Sequence, residues 1–143
     1  MYSCLVLIDG YNLVNKIPDL IRAGRKSIDH ARDMLLSMAE SYCDYHHAEC
    51  VIVYDGNHAG RSMEGKNPVV MFSSSGETAD TVIESIIYKL GDKQKATVVT
   101  DDRQIKNLVT GMGAFTMSVA CFNDEAKNCA DAIRRRINEK GCF

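Results

Sequence analysis

Short apolar runs alternate along this chain with longer stretches in which apolar residues return every three or four positions. CLVLIDG at 4–10 has the look of a buried strand ending in an acid and a glycine. Residues 11–26 are polar and mixed, contain Pro18 and Gly24, and are expected to form a loop holding at most a short helical turn. Ser27 is a good N-cap, and Ile28, Ala31, Leu35, Met38, Ala39 and Tyr42 follow at helical spacing to about residue 46. ECVIVYDG at 49–56 is a second strand, again closed by acid and glycine, and the polar stretch 57–67 is expected to be a flexible loop. PVVMFSS at 68–74 is a third strand. A helix over 78–90 presents Ala79, Val82, Ile83, Ile86, Ile87 and Leu90 on one face, and ATVVT at 96–100 is a fourth strand. Asp101 is expected to cap the next helix, which carries Ile105, Leu108, Val109 and Met112 and stops at Gly111 and Gly113. A short strand at 114–119 and a final helix at 123–141, capped by Asn123, complete the order.

Apolar strands alternating with amphipathic helices imply a mostly parallel sheet of about five strands with helices on both faces. The expected architecture is one three-layer, Rossmann-like α/β domain over 1–143, without repeat, low-complexity tract or internal boundary.

Open α/β sheets bind ligands outside the carboxyl ends of their strands. Here the first strand ends in Asp9, the second in Asp55 and the fourth in Asp101 and Asp102, while Glu77 and Asp80 open the helix after the third. A single strand-terminal Asp is most often a turn or cap residue. Four successive exits delivering carboxylates to one edge call for another explanation, because crowded like charges raise one another's pKa unless a cation intervenes. Hard oxygen donors suit Mg²⁺ or Mn²⁺. Glu84 lies four residues beyond Asp80 on the same helix face and is a further candidate ligand, though a solvated acid would look the same. Asn12, three residues past Asp9, could orient that acid or a metal-bound water.

The net charge of −2 does not by itself mark a nucleic-acid binder. Removing the seven acids Asp9, Asp55, Glu77, Asp80, Glu84, Asp101 and Asp102 from the 19 leaves twelve against 17 Lys and Arg. A surface that is basic outside an acidic pocket suits a polyanion bound through a cation. Candidate phosphate contacts are Lys16, Arg22, Arg25 and Lys26 after the first strand, Arg61 and Lys66 in the loop, and Arg103 after the acid pair. Arg32 could bridge its helix to a site carboxylate or pair with a surface acid, and the run Arg134, Arg135 and Arg136 could form a docking patch or a solvated face.

Other chemistries lack their signatures. The six cysteines (Cys4, Cys43, Cys50, Cys121, Cys129, Cys142) show no C-x-x-C pair and read as reduced, structural thiols. His30, His46, His47 and His58 show neither triad nor zinc spacing. After the first strand, DGYNLVNK is not G-x-G-x-x-G, a P-loop or D-x-D, so no nucleotide cofactor is expected. Ser73, Ser74 and Ser75 lack a nucleophile elbow, and the lysine of a receiver domain is missing after the fifth strand. No apolar run approaches the ~20 residues of a membrane helix. The N-terminal run lacks a basic leader and meets an acid at once, so a cytoplasmic protein without membrane association is expected. Oligomeric state is not legible.

Asp9-Gly10-Tyr11-Asn12, Ala31-Arg32-Asp33, Val51-Ile52-Val53-Tyr54-Asp55-Gly56, Glu77-Thr78-Ala79-Asp80 and Thr100-Asp101-Asp102 resemble the NYN domain family, specifically its YacP-like branch, in order and spacing over about residues 5–119. The resemblance implies a PIN-like fold and a divalent-metal-dependent endoribonuclease, with RNA as partner and ribosome-associated messenger RNA as one setting. It also implies that Asp9, Asn12, Asp80 and Asp102 carry catalysis. Asp9, Asp80 and Asp102 would hold Mg²⁺ or Mn²⁺, Asp101, Glu77 and Glu84 would be further candidate ligands, and Asp55 would support them. Lys16, Arg25, Lys26, Arg61 and Arg103 are the candidate RNA contacts. Asp101 departs from the family, which often has Ser there, and the loop 57–67 and the tail after residue 120 match less well. A non-catalytic RNA- or ribosome-binding module is the alternative of a different class.

Overall fold

A computed structural model of the chain describes residues 4–56, 67–74 and 76–140. Five strands, β1 (Leu5–Asp9), β2 (Glu49–Tyr54), β3 (Val69–Phe72), β4 (Ala96–Val99) and β5 (Phe115–Met117), form one sheet in the order β3-β2-β1-β4-β5. Every pairing is parallel. The helices are α1 (Gly10–Val14), α2 (Pro18–Lys26), α3 (Ile28–His46), α4 (Ala79–Lys89), α5 (Arg103–Gly111) and α6 (Val119–Lys140), with a 3₁₀ turn at Lys93–Lys95. None of the described helices is long and apolar enough to cross a membrane.

Because side chains alternate across a strand, each buried strand feeds two cores. Val6 and Ile8 of β1 join Cys50, Ile52 and Tyr54 of β2 in one core, with Leu13, Leu20, Leu35, Ala39 and Phe122 from α1, α2, α3 and α6. Leu7, Val53 and Val98 face the opposite core, with Ile83 and Ile87 of α4 and Ile105 and Val109 of α5. Burying a side chain such as Ile83 or Ile87 fully contributes about 1.5–3 kcal/mol. Exposed ion pairs such as Asp131 with Arg134 contribute less than about 1 kcal/mol. Packing therefore sets where each helix lies.

Three expectations change. Residues 11–26 form α1 and α2 and not a loop. Pro18 sits in the first turn of α2, where its missing N–H is harmless, and Leu13, Ile17, Leu20 and Ala23 supply a buried helical stripe. The cap of α5 is Asp102 and not Asp101: its side chain accepts from the Ile105 N–H at 3.1 Å. The last helix begins at Val119, four residues before Asn123, because Ser118 accepts the Cys121 N–H and Val119 and Phe122 are buried. The remaining element boundaries agree with the pattern to within two residues.

Gly10 follows β1 where the Tyr54 ring crosses the chain. A Cβ there would lie 2.3 Å from the ring, and Tyr54 is itself buried between Tyr11 and Phe72. Gly10→Ala is expected to lower stability by about 1–3 kcal/mol through overpacking. Urea denaturation checks this, and an unchanged midpoint would show that the ring yields freely.

Candidate active site

The chain passes from β1 to β2 and β3 on one side, then returns to place β4 on the other side of β1. The gap beyond the ends of β1 and β4 is thus the point where the strand order reverses, and ligand sites in open parallel sheets form at such points.

Asp9 stands at the end of β1, at the N-cap position of α1, yet its side chain makes no capping bond. It turns to β4, where the Thr100 hydroxyl donates to Asp9 Oδ2 at 2.9 Å. The same Thr100 oxygen accepts the Asp102 N–H at 3.0 Å. Asn12, one turn into α1, accepts the Asp101 N–H through Oδ1 at 2.8 Å. Two side chains of β1 and α1 therefore hold the exit of β4. Thr100 is wholly buried, and no role was expected of it beyond its place in the T-x-D pattern. A polar residue directly after the buried pair Val98 and Val99 is the available signal.

Burial raises the Asp9 carboxyl from its ordinary 3.8 to about 6, against the lowering effect of the Thr100 bond, and the charges of Asp80, Asp102 and Asp55 push it further. Asp80, in the first turn of α4, is also raised, first by burial and then by Asp102 and Asp55. These four acids share one electrostatic neighbourhood. Asp55 is tied within it, since its Oδ1 accepts the Ala79 N–H at 2.6 Å and so joins the end of β2 to the start of α4. Asp102 uses Oδ1 for its cap, which leaves its second oxygen for another partner.

Other predicted residues lie apart from this group. Asp101 points toward α6, accepting the Val119 N–H at 3.0 Å and pairing with Lys16 at 3.6 Å. Lys16 is thereby engaged with an acid. Glu77 is exposed ahead of α4, and Glu84 is exposed one turn beyond Asp80, beside Ser85, Tyr88 and Met112; neither is among the charges that raise Asp9 or Asp80. Arg25 and Lys26 are exposed at the end of α2, and Arg103 is exposed at the start of α5. Arg61 and Lys66 lie outside the described residues. Arg32 pairs with the surface acid Asp29 at 3.0 Å, donates to the Tyr11 hydroxyl at 2.9 Å and lies 5.4–5.8 Å from the ring centres of Tyr11, Tyr54 and Phe72.

The donor set of Asp9, Asp80, Asp102 and Asp55 is wholly hard oxygen, which is the chemistry Mg²⁺ and Mn²⁺ take. Its oxygens stand wider than a direct three-ligand chelate: among the described residues, the trio with donor atoms all within 4.8 Å of one another is elsewhere, at His46, Glu125 and Cys129. That spacing suits an ion that keeps several of its waters and takes one or two carboxylates directly.

Comparison with known proteins bears on this arrangement. The sequence matches the YacP-like NYN domain over residues 6–141. This chain belongs to that family. The match runs through α6, beyond the stretch 5–119 over which the motifs agree. This YacP-like NYN chain is 28% identical over 140 residues to the Uncharacterized protein YacP of Bacillus subtilis strain 168, covering 94% of this chain and 82% of that protein. A crystal structure of a point mutant of Rae1 (YacP) from Bacillus subtilis matches with a TM-score of 0.82 at 26% identity, over 97% of this chain and 84% of that one. A second Rae1 (YacP) crystal structure gives 0.79 at 28% identity, over 97% and 81%. The three-layer fold is thus that of YacP, and YacP-like NYN membership is consistent with a nuclease-type, RNA-related function.

The raised Asp9 carboxyl has a consequence for stability. Below about pH 4 it is protonated in both folded and unfolded chains and contributes nothing. Between about pH 4 and 6 the unfolded chain ionises first, so stability falls as pH rises; above about 6 the full penalty stands. Asp9→Asn is therefore expected to stabilise the metal-free protein by about 2 kcal/mol at pH 7.5 and by almost nothing at pH 3.5. Thermal melts in chelator across pH check this, and equal melting temperatures of both proteins at pH 7.5 would contradict it.

Proposed function

We propose that this chain is a divalent-metal-dependent endoribonuclease that hydrolyses RNA phosphodiester bonds at the β1/β4 edge. The observation that carries the reading is the convergence of Asp80, Asp102 and Asp55 on the partly buried Asp9. Among the described residues no lysine or arginine pairs with any of the four, so their charge calls for a cation from solution. Family membership supports the same reading, since NYN domains are generally nucleases.

In this mechanism Asp9, Asp80 and Asp102 would hold Mg²⁺ or Mn²⁺, one or two of them directly and the rest through the ion's waters. When bound, the ion supplies an activated water at neutral pH and stabilises charge on the phosphoryl oxygens. Thr100 fixes one Asp9 oxygen and leaves the other for the ion. Asn12 acts as a positioning residue, because its amide oxygen is spent on the Asp101 N–H. Asp55 holds the start of α4, and with it Asp80, against the sheet edge. RNA phosphates would be met by exposed cations, first Arg103, which is next to Asp102 in the chain, with Arg25 and Lys26 at the end of α2 as more distant candidates. Such contacts give salt-dependent, sequence-independent affinity. Ribosome-associated messenger RNA is one substrate setting to test, and the cytoplasm is where such a substrate is met.

A labelled RNA incubated with the full chain should be cut with Mg²⁺ or Mn²⁺ and spared with chelator. Asp9→Asn and Asp80→Asn should lower the rate by at least about 100-fold. Glu77→Gln and Glu84→Gln should stay within about fivefold of the parent. Mn²⁺ should raise the melting temperature of the parent and not of Asp9→Asn. RNA binding without cleavage, equal in the parent and Asp80→Asn, would replace the enzyme by a binding module.

A further inference from the structure

The strongest metal-ligand geometry among the described residues lies away from the acid edge, where the end of α3 packs on the first half of α6. Donor atoms of His46, Glu125 and Cys129 all lie within 4.8 Å of one another. Glu125 and Cys129 are four residues apart on α6 and so share one face, and His46 is the last residue of α3. His46 Nε2 stands 3.7 Å from Glu125 Oε2. That is longer than a hydrogen bond and near the edge of a tetrahedron drawn around an ion with ligands at about 2.0–2.3 Å.

The surroundings hold the imidazole in place. Tyr42 lies 4.4 Å from the His46 ring and Tyr45 5.2 Å, centre to centre, and Tyr42 rests in turn on the buried Phe122. The side chains of His46 and Glu125 are 37% and 45% exposed, while Cys129 is only 2% exposed. Solvent thus reaches two ligands at the surface, with the thiol forming the floor. Spacing along the chain conceals the group, because His46 and Cys129 lie 83 positions apart and no motif links them.

We propose that His46, Glu125 and Cys129 form a zinc site that staples α6 to α3, with water in the fourth position. Imidazole, carboxylate and thiolate are all established zinc donors. A thiolate excludes Mg²⁺, which prefers oxygen, so the site is chemically distinct from the acid edge. Binding replaces the thiol proton by the ion and releases that proton to solvent. Linking the two helices through their side chains stabilises the folded chain by mass action. The site is independent of any nuclease activity.

The test titrates the reduced, metal-free full chain with Zn²⁺, and with Co²⁺ as a spectroscopic stand-in, in excess Mg²⁺. The parent and Asp80→Asn should each bind a first, tightest equivalent, with a thiolate-to-cobalt charge-transfer band and the strong visible absorption of a tetrahedral ion, and zinc should raise the melting temperature. Cys129→Ser should abolish the charge-transfer band. His46→Ala and Glu125→Gln alter exposed side chains and so keep the fold; each should weaken binding by at least about tenfold. Cys4→Ser should bind as the parent does. The proposal is overturned if the thiolate band is missing in the parent, if His46→Ala and Glu125→Gln bind like the parent, or if Cys4→Ser or Asp80→Asn removes the ion.

Discussion

Everything at the sheet edge depends on how the exits of β1 and β4 are held together. Parallel pairing aligns the two strands, but their ladder ends at Ile8 and Val99, one residue short of Asp9 and Thr100. Beyond that point two side-chain bonds take over, Thr100 to Asp9 and Asn12 to the Asp101 N–H, spanning 91 and 89 residues of sequence. They act against electrostatics, since the same convergence brings Asp80, Asp102 and Asp55 toward Asp9. A bond to a charged group is worth about 1.5–3 kcal/mol, and one pKa unit corresponds to about 1.4 kcal/mol. The Thr100 bond and the penalty on the Asp9 charge, set first by burial and then by its acidic neighbours, are therefore of similar size. The edge closes in the metal-free chain while keeping a deficit that the cation of the proposed function would relieve.

The three residues Thr100, Asp101 and Asp102 divide the work of that junction. Thr100 binds back to β1, Asp101 reaches forward to α6 and Lys16, and Asp102 caps α5 while facing the acid group. Three adjacent polar residues can do this because the chain is leaving a strand and entering a helix, where successive side chains fan into different directions. A second layer supports the exits of β1, β2 and β3. Tyr11, Tyr54 and Phe72 pack around the Arg32 guanidinium, which bonds to the Tyr11 hydroxyl. Arg32 Nε and the Tyr54 hydroxyl are buried there without a partner among the described residues, a cost of about 1–3 kcal/mol for each group. Ring packing and cation–π attraction offset it.

The strand pattern and the strand-end acids were legible because both depend on local order: a short apolar run, then an acid, then a glycine. The period of 3.6 placed α3, α4 and α5 for the same reason. In the segment 11–26, Pro18 and Gly24 suggest a loop, but the buried stripe of Leu13, Ile17, Leu20 and Ala23 decides for helix. Proline opens α2, and a Cβ at Gly24 would meet the Ala31 Cβ at an ordinary 3.8 Å, so neither residue breaks the helix. Whether Asp101 or Asp102 caps α5 is a matter of one residue's dihedral angles, which composition does not encode. The convergence of Asp9, Asp80, Asp102 and Asp55 followed from topology, but the diversion of Asp101 did not. Its partner, the Val119 N–H, exists only because α6 starts earlier than Asn123 suggests. No sequence rule would have joined His46 to Glu125 and Cys129, since only the packing of α3 on α6 brings them together.

The two metal chemistries proposed for this chain differ in hardness, and α6 connects them. Its first N–H is held by Asp101, whose own N–H is held by Asn12 beside the acid edge, while Glu125 and Cys129 lie two to three turns farther along the same helix. Zinc outcompetes magnesium for almost any donor set, so carboxylates alone would not keep it away from the edge. A thiolate and an imidazole give the α3–α6 site the stronger claim on zinc, leaving the oxygen-lined edge to the more abundant hard ion. Coupling between the sites then requires that α6 move between two arrangements with different zinc affinity. The Asp101 bond opposes such movement at one end and the buried Phe122 and Ala126 oppose it along the helix. A rigid α6 would make zinc a fastener for the fold, with no switching of the edge.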